Sequence, residues 1–218
     1  MIGDTLARTQ LPDRTASAKL IVVVRAADAA DYDRVLDVLI DAGICSIELT
    51  LTTPGTIDRL PKLLAQFGDA ADIGVGTVTD GSQLTAAVDA GAHYLVTPIT
   101  DLDLIDAANR AGVPIVPGGL TPTELFAAWR AGAAAVKIFP ASQVGPGYLK
   151  DLRGPFPDIA AVPSGGVDLE GAAAWLHAGS AAVSVGGPLL GDALRGGDFG
   201  ALRERTAAFV AACGQVTT

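Results

Sequence analysis

The chain has 218 residues, half of them apolar but only 5% aromatic, and a formal net charge of −9. That length fits one domain, or at most two small ones, with a sizeable core built from Ala, Val, Leu and Ile. The charge argues against nucleic acid or an anionic membrane surface as a partner, and any anionic substrate must be held by local positive groups or backbone amides. The first fourteen residues carry Asp4 and Asp13 and lack the apolar stretch of a signal peptide, and no apolar run reaches membrane-spanning length, so a cytoplasmic protein is expected. Cys45 and Cys213 lie far apart with neither disulfide nor metal spacing. With only His93 and His177 in the chain, a histidine-based metal site or triad is not expected either.

In chain order, a polar segment over residues 4–18 is expected to form an extra helix that caps the bottom of the fold. A dipeptide then recurs: Ala42-Gly43, Ala90-Gly91, Ala111-Gly112, Ala131-Gly132 and Ala178-Gly179. Each ends a helical pattern and precedes a short apolar run, as a C′ glycine free to take positive φ would. Gly68 and Gly154 are assigned the same part in the two wider gaps. The spacing, roughly 20 to 25 residues, is the length of one βα unit. Strands are predicted at 20–25, 45–51, 73–78, 94–98, 114–117, 134–139, 159–163 and 182–186. Helices are predicted at 29–42, 56–67, 81–90, 102–111, 122–131, 147–152, 169–178 and 199–212. Near-continuous apolar strands separated by single helices mean a parallel sheet. Eight such units predict an α/β fold of (β/α)8 TIM-barrel type. It is read as a single barrel domain over 1–218, with 1–18 supplying the extra N-terminal helix. An open doubly wound sheet would need a phosphate fingerprint, but Gly74-Val75-Gly76-Thr77 has Thr79 where the third glycine belongs, and the run from Gly186 to Gly191 lacks the P-loop lysine.

In this fold the chemistry sits at the C-terminal strand ends. The chain has four lysines, and only Lys137 lies in an apolar run, Ala133-Ala134-Ala135-Val136-Lys137-Ile138-Phe139. Taking an ammonium out of water disfavours its charged form, so a lysine in such a run is a candidate amine nucleophile. By strand parity Ala133, Ala135 and Phe139 share its face. In the second strand Ser46, Glu48, Thr50 and Thr52 share one face and Ile47, Leu49 and Leu51 the other, which points Glu48 into the barrel. A carboxylate there needs a partner. It is either an acid/base group or one half of a structural ion pair with Arg25 or Lys137. Arg25 closes strand one, where an anionic group would arrive, and Thr77 ends strand three as a possible donor to a carboxylate. Gly165-Gly166 after strand seven and Gly186-Gly187 after strand eight occupy the loops that form the usual phosphate cradle of this fold. Asp168 is a plausible N-cap for the helix that follows.

The runs Ile47-Glu48-Leu49-Thr50, Gly74-Val75-Gly76-Thr77-Val78, Thr97-Pro98, Val116-Pro117-Gly118, Thr121-Pro122-Thr123-Glu124-Leu125, Val136-Lys137-Ile138-Phe139-Pro140, Gly154-Pro155-Phe156-Pro157 and Pro163-Ser164-Gly165-Gly166-Val167 resemble the 2-keto-3-deoxy-6-phosphogluconate (KDPG) aldolases. Related 6-phosphogalactonate and 4-hydroxy-2-oxoglutarate (KHG) aldolases share these motifs. The resemblance implies a class I aldolase on a (β/α)8 barrel, needing no cofactor or metal, acting on a small-molecule 2-keto acid and commonly a homotrimer. It implies Lys137 as the Schiff-base lysine and Glu48 as the general acid/base. Thr77, Pro98 and Phe139 would line the pyruvate pocket, Gly165, Gly166, Gly186 and Gly187 would hold phosphate, and Arg25 matches an arginine of many members. Thr52 stands where some members carry an arginine, which leaves Arg25 as the only guanidinium expected for the substrate. Pro188 stands where many carry a serine, which removes a hydroxyl and an amide donor. The alternatives are a phosphosugar isomerase or epimerase on the same barrel and a barrel that binds a metabolite without turnover.

Overall fold

A computed structural model describes residues 8–215. The five Ala-Gly stops behave alike: Gly43, Gly91, Gly112, Gly132 and Gly179 all have φ between 70° and 99°. Each glycine amide donates to the carbonyl three residues back, and the next amide donates to the carbonyl five residues back, as in Gly43 to Ile40 at 2.9 Å and Ile44 to Leu39 at 3.0 Å. Five Schellman stops therefore turn five helices back toward the sheet. Gly68 and Gly154 differ from expectation. Their φ values of −60° and −52° are right-handed, and they end their helices without the left-handed turn.

The strands are β1 (Leu20–Val24), β2 (Ser46–Thr50), β3 (Asp72–Gly76), β4 (Leu95–Val96), β5 (Ile115–Val116), β6 (Gly118–Gly119), β7 (Val136–Ile138), β8 (Ala161–Pro163) and β9 (Val183–Val185). All pair in parallel, in the orders β5-β4-β3-β2-β1-β9 and β6-β7-β8. The predicted fifth strand, 114–117, is β5, and beyond Pro117, which has no N–H to give, the chain pairs again as β6, past the predicted end. A bridge between Ser164 and Ser184 joins β8 to β9, and the circle of eight strand positions closes. The helices are α1 (Asp13–Ala18), α2 (Tyr32–Asp41), α3 (Thr56–Phe67), α4 (Gly81–Asp89), α5 (Leu102–Ala111), α6 (Pro122–Arg130), α7 (Gly147–Arg153), α8 (Leu169–His177), α9 (Gly187–Leu190) and α10 (Phe199–Gly214). α6 starts with a capping box between Thr121 and Glu124, and α8 with the Asp168 cap.

Strand alternation sorts the core into two layers. Ile47, Leu49, Val22 and Val24 face outward and pack with Leu36, Leu39, Leu60 and Leu63 of α2 and α3. Ile21, Tyr94, Val96, Val116, Ala135, Val162 and Ala182 fill the barrel interior. Ala133, expected on the lysine's inner face, lies three residues ahead of β7, where its amide still bonds back to the Ala128 carbonyl of the α6 stop, and it joins the outer layer instead. The extra helix spans only Asp13–Ala18 of the predicted 4–18; residues 8–12 have no regular structure, and 4–7 lie outside the described residues. It covers the bottom of the barrel, where Leu11 packs on the interior cluster. Among the described residues no helix is long and apolar enough to cross a membrane.

Candidate active site

The parity that turns Ile47 and Leu49 outward turns Glu48 inward, and it does the same for Lys137 between Val136 and Ile138. Glu48 is 1% exposed and Lys137 7%. The Lys137 ammonium lies 4.0 Å from Glu48 Oε1 and 5.0 Å from the centroid of the Phe139 ring. This ion pair is too long for a hydrogen bond, and among the described residues neither side chain makes one.

The carboxylate has room because its neighbour has no side chain. A Cβ on Gly76 would fall 1.9 Å from Glu48 Oε1, and one on Gly74 would fall 2.4 Å from the Tyr94 ring. The two glycines that begin like a nucleotide motif thus open the barrel interior for a carboxylate above and an aromatic ring below. Thr77 follows at φ 63°, a left-handed conformation that is rare for a β-branched residue and stores strain of about 1–3 kcal/mol. Gly165 and Gly166 have φ of 88° and 77°, and a Cβ on either would crowd Phe139 or Ser142. Gly186 and Gly187 are different, with nothing closer than 3.5 Å to a Cβ at the first and open space at the second.

Above the Lys137–Glu48 pair is a cavity of about 510 Å³, within the range of small-molecule sites. It brings together Arg25, Glu48, Thr77, Pro98, Lys137, Phe139, Gly165, Gly166, Gly186 and Gly187, all ten residues singled out from the sequence. Thr52 is exposed and outside it, and Pro188 is in its wall. Sequence reasoning missed Ser164, Ser184 and Arg195, which also line the cavity. Ser184 was findable by parity, since it shares the inner face with Ala182, and its hydroxyl meets that of Ser164 at 3.2 Å. Arg195 corrects the expectation that Arg25 is the only guanidinium at the site. It ends the short 3-10 turn Ala193–Arg195 beyond α9, where neither strand parity nor motif reaches.

The two histidines have structural partners. His93 Nδ1 accepts from the Ile73 amide at 3.1 Å, and His177 Nδ1 lies 2.8 Å from the Ala173 carbonyl. Burial pushes the Cys213 thiol up to about 11, and burial also raises Cys45. Among the described residues no three His, Cys, Asp or Glu side chains gather into a group that could hold a metal.

The family model for KDPG and KHG aldolases matches residues 12–204. The chain belongs to the KDPG and KHG aldolase family. It is accordingly an enzyme of the aldolase class, a lyase acting on small molecules. The chain is 37% identical to the 2-dehydro-3-deoxy-6-phosphogalactonate aldolase of Escherichia coli over 78% of its own length and 83% of the relative's. It is 36% identical to the 2-dehydro-3-deoxy-phosphogluconate aldolase of Pseudomonas aeruginosa, covering 73% of this chain and 72% of that one. Among solved structures, the KDPG aldolase of Legionella pneumophila superposes with a TM-score of 0.79 at 26% identity, over 96% of this aldolase and 99% of that chain. In that structure pyruvate is captured at low pH as a covalent carbinolamine intermediate.

Proposed function

We propose that this aldolase cleaves 2-keto-3-deoxy-6-phosphogluconate to pyruvate and glyceraldehyde 3-phosphate through a Schiff base on Lys137. The observation that carries the reading is a lysine only 9% exposed in its side chain, standing 4.0 Å from a buried carboxylate at the floor of the cavity. The Lys137 amine adds to the C2 ketone to give a carbinolamine, which loses water to become an iminium. Glu48, directly or through one water, takes the proton of the C4 hydroxyl. The C3–C4 bond breaks, its electrons flow into the iminium, and the aldehyde leaves while an enamine of pyruvate remains on the lysine. Glu48 returns the proton to C3, and water hydrolyses the iminium to free pyruvate and the amine. Acid/base assistance of this kind contributes roughly 10²–10⁴-fold. Thr77, Pro98 and Phe139 shape the pyruvate end, and Arg25 meets an anionic group of the substrate. The two glycine pairs carry backbone amides toward the phosphate.

A second reading, the 6-phosphogalactonate epimer, is favoured by the 37% identity to the E. coli enzyme. Turnover of the two epimers side by side separates the readings. The chain works as one barrel domain in the cytoplasm and assembles as a homotrimer. Ile99 and Leu102, 47% and 52% exposed where β4 leads into α5, are apolar surface that such an assembly would cover. A monomer by light scattering would remove the trimer.

Incubation with pyruvate and sodium borohydride, followed by intact mass and peptide mapping, tests the chemistry. The expected result is one reduced pyruvate adduct, on Lys137. No adduct, or one on Lys19, Lys62 or Lys150, would overturn the mechanism.

A further inference from the structure

Arg195 lies outside every motif from which the site was read, yet it is in the cavity wall. We propose that Arg195 is the phosphate-recognising residue of this enzyme, a guanidinium on the 3-10 turn between α9 and α10 that selects the phosphorylated 2-keto-3-deoxy acid over its plain counterpart. The inference rests on the aldolase reading above and adds the group that reads the far end of the substrate.

The charges of the cavity are sorted by depth. Lys137 and Glu48 are buried, whereas Arg25 and Arg195 are both exposed and so belong to the mouth. Among the described residues no carboxylate lies within salt-bridge distance of either arginine. In a chain with 24 acidic and 15 basic side chains, a wall with three cations and one carboxylate reverses the prevailing sign, and such a cleft draws anions in. The chemistry of the substrate says which anion goes where. Its carboxylate is bonded to C2, the atom that joins the lysine, so it is held deep. Its phosphate is on C6, at the other end of the molecule, and reaches toward the mouth.

The glycine amides at this mouth are short of donors at one place. Pro188 contributes no N–H, and the segment Gly186-Gly187-Pro188 has no hydroxyl. A guanidinium on the 3-10 turn that follows α9 supplies what is missing, with a planar fork that fits two phosphate oxygens at once. The end of α9 and the turn after it are also held from behind. Arg205 of α10 donates from Nε to the Leu189 carbonyl at 2.8 Å and from Nη2 to the Leu190 carbonyl at 3.1 Å. The amides of Arg195 and Gly197 both donate to the Asp192 carbonyl, at 2.8 and 3.1 Å. A backbone fixed in this way leaves only the rotamers of the arginine itself to be ordered on binding.

The test compares wild type, Arg195→Ala and Arg195→Lys on 2-keto-3-deoxy-6-phosphogluconate and on 2-keto-3-deoxygluconate, with inorganic phosphate as a competing anion. Charge-assisted hydrogen bonds of this type correspond to roughly 10- to 150-fold. The ratio of kcat/KM for phosphorylated over plain acid is expected to fall by that factor in Arg195→Ala, chiefly through KM. Arg195→Lys should restore part of it, and inhibition by phosphate should weaken in parallel. An unchanged ratio, or a wild-type enzyme with no preference for the phosphorylated acid, overturns the proposal. Borohydride trapping of pyruvate is run on the same samples. A wild type that traps nothing refutes the aldolase reading, whereas trapping on Lys137 with an unchanged ratio refutes the role of Arg195 alone.

Discussion

The two ends of this barrel are built from the same strands and treat polar groups in opposite ways. At the bottom, the Thr15 amide and hydroxyl both donate to Asp72 Oδ2, at 2.8 and 2.9 Å. The same hydroxyl lies 2.8 Å from that of Ser46, which lies 3.2 Å from the hydroxyl of Tyr94. Arg14 adds an ion pair to Asp72 at 3.6 Å. Every member of that cluster is matched, and the helix α1 seals it from water. At the top, two residues further along β2, Glu48 and Lys137 face each other at 4.0 Å beneath an open cavity. Satisfied buried networks rigidify a fold, while buried charges with spare bonding capacity are available for chemistry. The contrast teaches that reactivity here is a matter of which polar residues α1 and its neighbours leave unmatched.

Removing the amine at the top tests the contrast most severely. Lys137→Ala is expected to abolish turnover while leaving urea stability within about 1 kcal/mol, because the truncation opens the buried Glu48 to the cavity, where water replaces the lost partner. If the pair were a structural ion pair, losing one partner would cost about 3–5 kcal/mol. Retained turnover together with a stability loss of that size would reverse the assignment of the two ends. Next in size is Gly76→Ala, whose Cβ would fall 1.9 Å from Glu48 Oε1 and must push the carboxylate aside. A displacement of about 1 Å corresponds to roughly a 10²-fold loss in kcat, with a stability loss of about 1–3 kcal/mol from overpacking. Steady-state kinetics showing an unaffected kcat would mean that the carboxylate's position does not matter.

The top was the more legible end in the sequence. Alternation in Ile47-Glu48-Leu49 and Val136-Lys137-Ile138 points the two charges inward from local pattern alone, and the Ala-Gly stops mark where most of the units begin and end. The bottom cluster joins Thr15, Ser46, Asp72 and Tyr94, which are far apart in the chain, and no local pattern announces it. Arg195 escaped for a related reason, since it ends a three-residue 3-10 turn held by the Asp192 carbonyl, too short to show any period. The predicted strands overran at several C-terminal ends, where single backbone bonds such as Phe139 to the Gly119 carbonyl continue past the regular ladder. The overrun holds Arg25, Thr77, Pro98 and Phe139, the residues that reach the cavity.

At the bottom, Thr15→Val should do the reverse of Lys137→Ala. It removes the hydroxyl between Ser46 and Asp72 in a fully buried position and should cost about 1–3 kcal/mol for the groups left unsatisfied. With the cavity untouched, kcat/KM should stay within about twofold, since nothing in the reaction passes through the barrel floor. Urea denaturation and steady-state kinetics on the same sample check both halves, and a large kinetic defect would mean that the two ends are coupled.

The smallest effect comes from pH. Burial, the largest cause, pushes the Tyr94 phenol well above its ordinary value, against the hydrogen bond with Ser46, which lowers it. The folded state therefore holds this proton more tightly than the unfolded chain. The stability this contributes is fully present below the unfolded value near pH 10 and is lost as pH rises toward the folded one. Tyr94→Phe should cost about 1 kcal/mol at neutral pH for the lost hydrogen bond. Above about pH 10 it should make the loss of stability shallower by up to one proton, about 1.4 kcal/mol per pH unit. Tyr32 and Cys213, also raised by burial, keep part of the alkaline slope in the variant. Urea midpoints measured between neutral and alkaline pH give both slopes. Equal slopes would mean that Tyr94 ionises as easily folded as unfolded, and so that the floor of the barrel is not closed to water.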